Sequence, residues 1–204
     1  AWPSKLKGHN PTALPGGIWG GHGWGNLDWP SGDMASAIVN LVNCATGDGG
    51  TLGYAELMSV AEAQAFIEAL RRSVVAGESS VLLGRVDSQP AFLVIITLNR
   101  MPNCRHRAEL SKGVVHPDYR GKNYVQLGFR ALVQRAEQLG VDQLVLDVRE
   151  GCRAHALWQR FGFVSFGVLD DYARIAGKSY RGHFMIQSVA ALRALVLPDN
   201  HQST

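Results

Sequence analysis

Hydrophobic periodicity divides most of the chain into helices and strands, and the clearest segment is SVAEAQAFIEALRRSVVAG, residues 59–77. Its apolar residues recur every three or four positions, which is the spacing of one face of a helix. Ser59 and Glu62 have capping-box spacing at the start, and Gly77 is a helix-ending residue. The apolar stripe is predicted to comprise Val60, Ala63, Phe66, Ile67, Leu70 and Val74.

Short apolar runs predict six strands elsewhere in the chain. They are SVLLGRV (80–86), AFLVIITLN (91–99), AELSKGVV (108–115), QLVLDV (143–148), FVSFGVL (163–169) and YRGHFMIQSV (180–189). Further helices are predicted at residues 34–45, 152–162 and 190–196, and another helix is predicted to end near Leu139. Because helices alternate with strands, some of them joined by hairpins, the pattern predicts a mixed α/β sheet.

Residues 1–33 differ from the rest, since LPGGIWGGHGWGNLDWPSGD (14–33) is rich in glycine and tryptophan and has no helix or strand period. We therefore expect an irregular arm over 1–33 and a single domain over 34–204. Either the arm is held on the domain surface by its tryptophans, or it serves as a lid or partner-binding segment. His9 and His22 lack further spaced ligands, so we expect no metal site.

Charge and cysteine content narrow the function classes. The 20 basic and 17 acidic residues give a net charge of only +3, which is too small to indicate nucleic acid but suits an anionic cofactor. No apolar run reaches the roughly 18 residues of a membrane span, and the first residues lack the apolar core of a signal peptide. The scattered Cys44, Cys104 and Cys152 predict free thiols and a cytoplasmic location.

The turn in HPDYRGKNYVQLGF, residues 116–129, is a candidate anion site because it opens a predicted helix. A helix N-terminus offers unpaired N–H groups and a partial positive charge, to which Arg120 and Lys122 add full charges. Asn123 stands where a small residue is expected and tolerates unusual backbone angles. The branched Val125 is expected to weaken anion binding by about 1–2 kcal/mol. The alternative is a helix start that binds no phosphate.

Three features in this order resemble the GNAT superfamily of acyl-CoA N-acyltransferases, over about residues 34–187: the strand 108–115, the Arg120–Val125 turn and the helix-to-strand junction ALWQRFGF (156–163). Within that superfamily, three segments look most like the tabtoxin-resistance acetyltransferase type: TLGY (51–54), LNRMPNCRHRAELSKGVVHPDYRG (98–121) and LDVREGCRAHALWQRFGF (146–163). The resemblance implies a mostly antiparallel twisted sheet with helices on both faces and two splayed central strands. It also implies acetyl-CoA, or another acyl-CoA, as co-substrate.

The resemblance also implies a set of cofactor-binding residues. The strand backbone at Gly113, Val114 and Val115 matches the positions that bind the pantetheine arm. The family's phosphate-binding loop, with Arg or Gln followed by small residues at fixed spacing, matches the turn discussed above. Its residues here are Arg120, Gly121, Lys122, Asn123, Tyr124 and Val125.

The implied catalytic base is Glu109, because the acceptor must lose a proton during attack on the thioester. A salt bridge from Glu109 to Arg105 or Arg107 is an equally weighted alternative, and Asp147 is a second candidate base. The resemblance would place the general acid at Trp158, where the family usually has tyrosine. An indole N–H cannot supply a proton near neutral pH, so packing against the cofactor channel is the favoured interpretation of Trp158.

Another group could serve as the acid, or the thiolate could leave without one, since a thiol is acidic compared with an amine. The alternatives for the acid are Tyr124, His116, His155 and Cys152. Acceptor contacts are expected from Tyr54, Asp147, Tyr172 and Tyr180, of which the last two bracket the predicted hairpin ARIAGKS (173–179).

The predicted function is transfer of an acetyl group to an amine or hydroxyl of a small polar molecule. The expected partner is that small-molecule acceptor, with no nucleic acid and no membrane, and a homodimer is left open. One alternative keeps the fold with changed chemistry: a carrier-protein or tRNA-borne acyl donor, or a non-transfer thioester reaction. The other alternative is a catalytically silent binding domain.

Overall fold

A computed structural model describes residues 32–47, 52–54, 56–121 and 123–197. Within these residues the helices are α1 (Gly32–Gly47), α2 (Val60–Val75), α3 (Tyr124–Gln138), α4 (Arg153–Arg160) and α5 (Val189–Val196). The strands are β1 (Ser79–Val86), β2 (Gln89–Leu98), β3 (Arg107–Val115), β4 (Gln143–Arg149), β5 (Val164–Ile175) and β6 (Lys178–Ser188). Every predicted helix and strand is present at its predicted place.

The six strands form one sheet in the order β1-β2-β3-β4-β6-β5. All neighbouring pairs are antiparallel except β3 and β4, which run parallel at the centre. A parallel pair needs a crossover connection, and α3 supplies it. The prediction of a mixed, mostly antiparallel sheet is confirmed.

Helices cover both faces of the sheet and create two apolar cores. Phe92, Val94 and Ile96 of β2 belong to the core beneath α3, α4 and α5, whereas Leu93 and Ile95 belong to the core beneath α1 and α2. Successive strand residues point to opposite faces, so a strand covered on both sides must be apolar at every position. This requirement explains the unbroken apolar run that identified β2.

Helix α2 agrees with the prediction in its capping and in its apolar stripe, apart from the first residue of that stripe. The Ser59 side chain accepts from the backbone N–H of Glu62 at 3.3 Å, and the Glu62 carboxylate accepts from the Ser59 N–H at 2.8 Å. Gly77 follows the helix with φ +69°. Val60, however, is 76% exposed, because it is the first helical residue and precedes the part of α2 that packs on the core.

Two predicted boundaries were wrong. The helix α1 begins at Gly32, so the last two residues of the predicted arm are helical, and residues 1–31, with their tryptophans and both predicted histidines, lie outside the described residues. Strand β5 extends to Ile175 and includes Tyr172. The hairpin turn is Ala176–Gly177, with φ +48° and +76°.

The structure also bears on the predictions about membrane spans and cysteines. Among the described helices, no helix has the length and apolar character to span a membrane. The three cysteines all lie in the described residues and are unpaired, so the prediction of free thiols is confirmed.

Candidate active site

The two central strands separate and leave a cavity between them. Strands β3 and β4 are paired only where Arg107–Glu109 lies beside Gln143–Val145. Beyond this point β3 stays paired with β2 as far as Val115, and β4 stays paired with β6 as far as Arg149. The two facing edges line a cavity of about 800 Å³. The splay that the resemblance implied is therefore present.

A β-bulge reorients the side chains of β3 at the cavity. Leu93 pairs with Val114 and Ile95 pairs with Ser111, so two β3 residues lie opposite the single residue between them on β2. One of the two, Lys112, has φ +52°. A bulge shifts the side-chain alternation by one position, and as a result Val114 packs beneath α1 and α2 while Leu110 packs on the α3 side.

Trp158 forms one wall of the cavity and packs tightly on β3. It is 8% exposed and lies edge-to-face with Phe129 at 5.4 Å and at a steep angle to Phe163 at 4.9 Å. A Cβ added to Gly113 would lie 2.6 Å from Trp158 Cζ2, so the indole rests directly on the β3 backbone. This packing supports the interpretation of Trp158 as part of the channel wall. The indole occupies space there and supplies no proton.

The N-terminus of α3 opens on the same cavity. The first backbone hydrogen bond of the helix runs from Leu127 N to Asn123 O at 3.1 Å, and the preceding N–H groups have no i−4 acceptor within the helix. Gly121 has φ +70°, whereas Asn123 has an ordinary helical φ of −62°. The tolerance of Asn123 for unusual backbone angles is not called upon, because Gly121 makes the turn.

Arg120 is held in place at this turn. Its backbone N–H donates to Pro117 O at 3.2 Å and its side-chain Nε donates to Val115 O at 3.1 Å. The backbone N–H of Arg120 therefore already has a hydrogen-bond acceptor within the protein. The guanidinium is anchored to the open end of β3 beside the α3 N-terminus.

Most of the predicted cofactor-binding residues come together here. Those that line the cavity are Gly113, Val114, Val115, Arg120, Gly121, Asn123 and Val125. Tyr124 is not among them and packs edge-on against Tyr119 at 5.7 Å. Lys122 lies outside the described residues. Sequence reasoning missed Gln126, Arg153 and Arg160, which also line the cavity from the first turn of α3 and from α4.

Glu109 occupies the fork between the separating strands. It pairs with Val145 at the last paired position of β3 and β4, and its side chain is exposed. Among the described residues it forms no ion pair with Arg105 or Arg107, so the structural alternative to a base has no support. Glu109 does not line the cavity itself, whereas Asp147 does.

Of the four alternative acids, only Cys152 lines the cavity within the described part of the chain, at the N-cap of α4. His116 Nδ1 accepts from the Asp118 N–H at 3.3 Å. His155 is buried, with Nδ1 accepting from the Gly151 N–H at 3.3 Å and its ring stacked on His183 at 4.5 Å.

Each predicted acceptor tyrosine contacts a charged side chain that lines the cavity. Lys112 Nζ donates to Leu52 O and lies 4.9 Å from the centre of the Tyr54 ring. Tyr172 donates its hydroxyl proton to the Asp147 carboxylate. Arg149 Cζ lies 4.9 Å from the Tyr180 ring centre. Asp147 was predicted, whereas Lys112 and Arg149 were not.

The environment shifts the protonation of these groups. Burial lowers the pKa of Lys112, and the negative charge of Asp147 partly opposes that shift. Burial, followed by the hydrogen bond to Asp147, raises the pKa of the Tyr172 phenol. Tyr172 therefore holds its proton and acts as a donor that fixes Asp147.

The geometry agrees with a family comparison. The model of the Acetyltransferase (GNAT) family matches residues 62–163, which is half of the 204 residues. The chain belongs to the GNAT acetyltransferase family, whose members use acetyl-CoA. The finer tabtoxin-resistance type is not distinguished by this match.

Solved structures share the fold at low sequence identity. Ribosomal-protein-alanine N-acetyltransferase from Brucella melitensis is 21% identical with a TM-score of 0.63, covering 78% of this chain and 96% of that one. A GNAT acetyltransferase from Streptococcus pneumoniae is 21% identical with a TM-score of 0.61, covering 76% and 93%. Microcin C7 self-immunity acetyltransferase MccE, solved with acetyl-CoA and AMP, is 18% identical with a TM-score of 0.62, covering 78% and 89%.

Proposed function

We propose that this chain transfers an acetyl group from acetyl-CoA to an amine or hydroxyl of a small polar molecule. The observation that carries the proposal is the gap between β3 and β4 beside the N-terminus of α3. The unpaired edge of β3 offers backbone groups to an extended amide-bearing arm. The first N–H groups of α3, with Arg120 nearby, suit a pyrophosphate. The two features adjoin in one cavity.

Direct attack accounts for the reaction without a covalent enzyme intermediate. The neutral acceptor amine attacks the thioester carbonyl, the carbonyl–sulfur bond breaks, and the products are the acetylated amine and the CoA thiolate, which takes up a proton from solvent. Backbone N–H groups of the separated strands are suited to stabilise the oxyanion. Because direct attack needs no covalent intermediate, we assign Cys152 no nucleophilic role.

Glu109 is proposed as the base, acting through water. It lies at the fork of the strands without a competing ion pair among the described residues, and its position outside the cavity wall is consistent with a relayed proton. The proton that leaves the amine passes to Glu109 and the thiolate leaves unassisted, because a thiol is far more acidic than an amine. Trp158 supplies packing and no proton.

The tabtoxin-resistance pattern supports a self-protection or tailoring role on a small metabolite. The support comes from the three segments quoted above. We propose this role as the finer part of the function.

Two measurements test the proposal. Acetyl-CoA should raise the melting temperature, because a ligand that binds only the native state stabilises it by about 2.7 kcal/mol at a hundredfold excess over Kd. Glu109→Gln should lower kcat at neutral pH by roughly a hundredfold while the acetyl-CoA shift persists. Asp142→Asn is the matched control, since Asp142 is exposed at the start of β4 and does not line the cavity.

No thermal shift at millimolar acetyl-CoA would contradict the proposed donor. An unchanged kcat in Glu109→Gln would remove Glu109 from the mechanism. If Asp147→Asn abolished turnover in its place, the base would be Asp147.

A further inference from the structure

The half of the sheet formed by β4, β6 and β5 is covered by helices on one side only. The core beneath α1 and α2 takes its buried strand residues from β1, β2 and β3, and among the described residues it includes none from β4, β5 or β6. The core on the other side reaches further, because Leu146 of β4 and Met185 of β6 belong to it. The second half of the sheet is therefore open on the side of α1 and α2.

Strand register identifies the side chains that point to this open side. Leu146 and Val148 belong to the core on the other side, so Val145 and Asp147, which alternate with them, point to the open side. Residues paired across antiparallel strands share a side, which extends the assignment from β4 through β6 to β5. The apolar residues placed there are Val145, Val164, Leu169, Phe184 and Ile186, together with Phe166, whose ring centre lies 6.4 Å from that of Phe184. We call these six residues the open sheet face.

The open sheet face leaves large apolar side chains in contact with solvent. Phe166 is 63% exposed, Val164 61% and Leu169 47%. Within the described part of the chain, none of the six residues belongs to either apolar core. A contiguous group of exposed apolar side chains on a soluble protein marks a surface that something else covers.

The open sheet face adjoins the acceptor side of the cavity. Asp147 lines the cavity and pairs with Phe184, and Glu109 at the fork pairs with Val145. Strand β5 lies two strands, or about 10 Å, beyond β4. A small polar acceptor bound beside Asp147 would leave the side chains of β5 uncovered, so the acceptor does not account for this face.

The parts of the chain outside the described residues differ in length and in where they join the fold. Residues 198–204 follow α5, which packs on the other side of the sheet, and the internal segments are at most four residues long. Residues 1–31 join the fold at Gly32, where α1 begins, and α1 packs on the same side as the open sheet face. The sheet is about 24 Å wide, whereas 31 residues can extend to about 100 Å.

The composition of residues 1–31 complements the open sheet face. This segment carries four of the five tryptophans of the chain, at positions 2, 19, 24 and 29. Aromatic side chains of this size each bury about 150–250 Å² on packing. Contact with the open sheet face would remove apolar surface of both partners from water.

We propose that residues 1–31 lie across the open sheet face, with their tryptophan side chains packed on the apolar side chains of β5 and β6. In this position the segment also forms an outer wall beside the acceptor side of the cavity. The proposal concerns packing of the chain on itself and does not depend on the acetyl transfer proposed above.

A second copy of the chain is a less suitable occupant. The sheet edge next to the open sheet face is β5, whose second half carries Asp170, Asp171 and Arg174. Charged side chains on an edge strand oppose pairing with a strand of another molecule. Two copies packed through the face would also obstruct the acceptor side of both cavities, because the face adjoins Asp147 and Glu109.

Photo-cross-linking of the full chain tests where residues 1–31 lie. The photoreactive residue p-benzoylphenylalanine replaces Leu169 on the open sheet face or, as the matched control, Val168. Val168 is equally exposed at 47% but points to the other side of the same strand, since it pairs with His183 opposite Val148. Unlabelled and isotope-labelled chains are mixed before irradiation, so that mass spectrometry of the digest distinguishes cross-links within a chain from cross-links between copies.

We expect position 169 to cross-link to peptides from residues 1–31 of the same chain, and position 168 to give few such cross-links or none. Chymotrypsin provides a second measurement, because it cleaves after tryptophan and packing protects Trp19 and Trp24. Cleavage there should be roughly tenfold faster in Leu169→Ser than in the wild type, and unchanged in Val168→Ser.

Cross-links from position 169 to another copy would overturn the proposal in favour of a dimer formed through the open sheet face. Absence of cross-links from 169 to residues 1–31, or equal yields from 168 and 169, would show that the segment does not lie on this face. Equal cleavage rates in all three proteins would lead to the same conclusion. Failure to bind acetyl-CoA would instead contradict the proposed function and leave this proposal intact.

Discussion

At the scale of single residues, the cavity wall depends on the absence of a side chain at Gly113. The indole of Trp158 occupies the space where a Cβ would stand, 2.6 Å from Cζ2. Close packing leaves little room for the ring to move, because Phe129 and Phe163 lie against it. The pair therefore fixes the width of the channel between β3 and α4.

Gly113→Ala should lower the free energy of unfolding by about 1–3 kcal/mol, because the new methyl group overpacks the indole. In a Trp158→Phe background the same change should cost less, since the smaller ring leaves space. Denaturant titrations of the four proteins in a double-mutant cycle measure that coupling. Gly47→Ala is the control, because a Cβ added at Gly47 would have its nearest neighbour, Leu57 Cδ2, at 3.9 Å. Additive losses would show that the two residues do not interact.

Individual site residues were only partly predictable. The loop residues Arg120 and Gly121 follow from the family pattern, and both line the cavity. Lys112 was missed, although the glycine beside it, inside a strand pattern, is a recognisable signal of a bulge. Arg149 was missed because it lines the cavity only as a result of the separation of β3 and β4. The hydrophobic pattern of the sequence does not show that the pairing of these strands ends after three residues.

At the scale of elements, the β4–α4 turn is stabilised by an uncharged histidine. The buried His155 accepts from the Gly151 N–H through Nδ1, which requires the proton to be on Nε2 in the neutral ring. Burial lowers the pKa of His155, the charge of His183 lowers it further, and Glu150 opposes both. Cys152, Ala154 and Leu157 of the same turn and helix line the cavity.

This arrangement predicts a loss of stability in mild acid. In the unfolded chain the pKa of His155 is about 6.5, and in the folded protein it is lower. As the pH falls, the unfolded state therefore binds a proton at His155 before the folded state does. The stabilising contribution of neutral His155 is complete above pH 6.5 and is lost as pH falls from there through the folded pKa, by at most about 1.4 kcal/mol per pH unit. Urea titrations at pH 7.5 and 5.5 should show a smaller loss in His155→Gln than in the wild type.

His106→Gln serves as the control for this titration, because His106 is exposed before β3. It should follow the wild type at both pH values. An identical pH dependence in all three proteins would show that His155 is not the titrating group.

The positions of the elements were predictable because apolar runs and caps report burial and helix ends directly. The capping box at Ser59 and the helix stop at Gly77 are local signals, and both are confirmed. Strand β5 was predicted too short because Asp170, Asp171 and Arg174 interrupt the apolar pattern of its second half, which is part of the strand through its pairing with β6. Pairing between distant segments is not visible in the local pattern of one of them.

At the scale of the whole molecule, the sheet consists of two halves with a narrow connection. Strands β1, β2 and β3 form one half and β4, β6 and β5 the other, and their strand pairing is confined to Arg107–Glu109 with Gln143–Val145. Beyond the fork, the facing edges of β3 and β4 have no strand partner among the described residues. Backbone groups at such an edge exchange with solvent unless something covers them.

Acetyl-CoA should therefore act as a bridge between the halves, and amide hydrogen exchange followed by mass spectrometry tests this. In the free protein, peptides covering 110–115 and 146–149 should exchange faster than a peptide covering 93–96 of β2, which has strands on both sides. Saturating acetyl-CoA should slow both edge peptides together, because one ligand in the gap covers both edges. Protection of 110–115 alone would show that the ligand lies along β3 without reaching β4, and the two halves would then remain joined only at the fork.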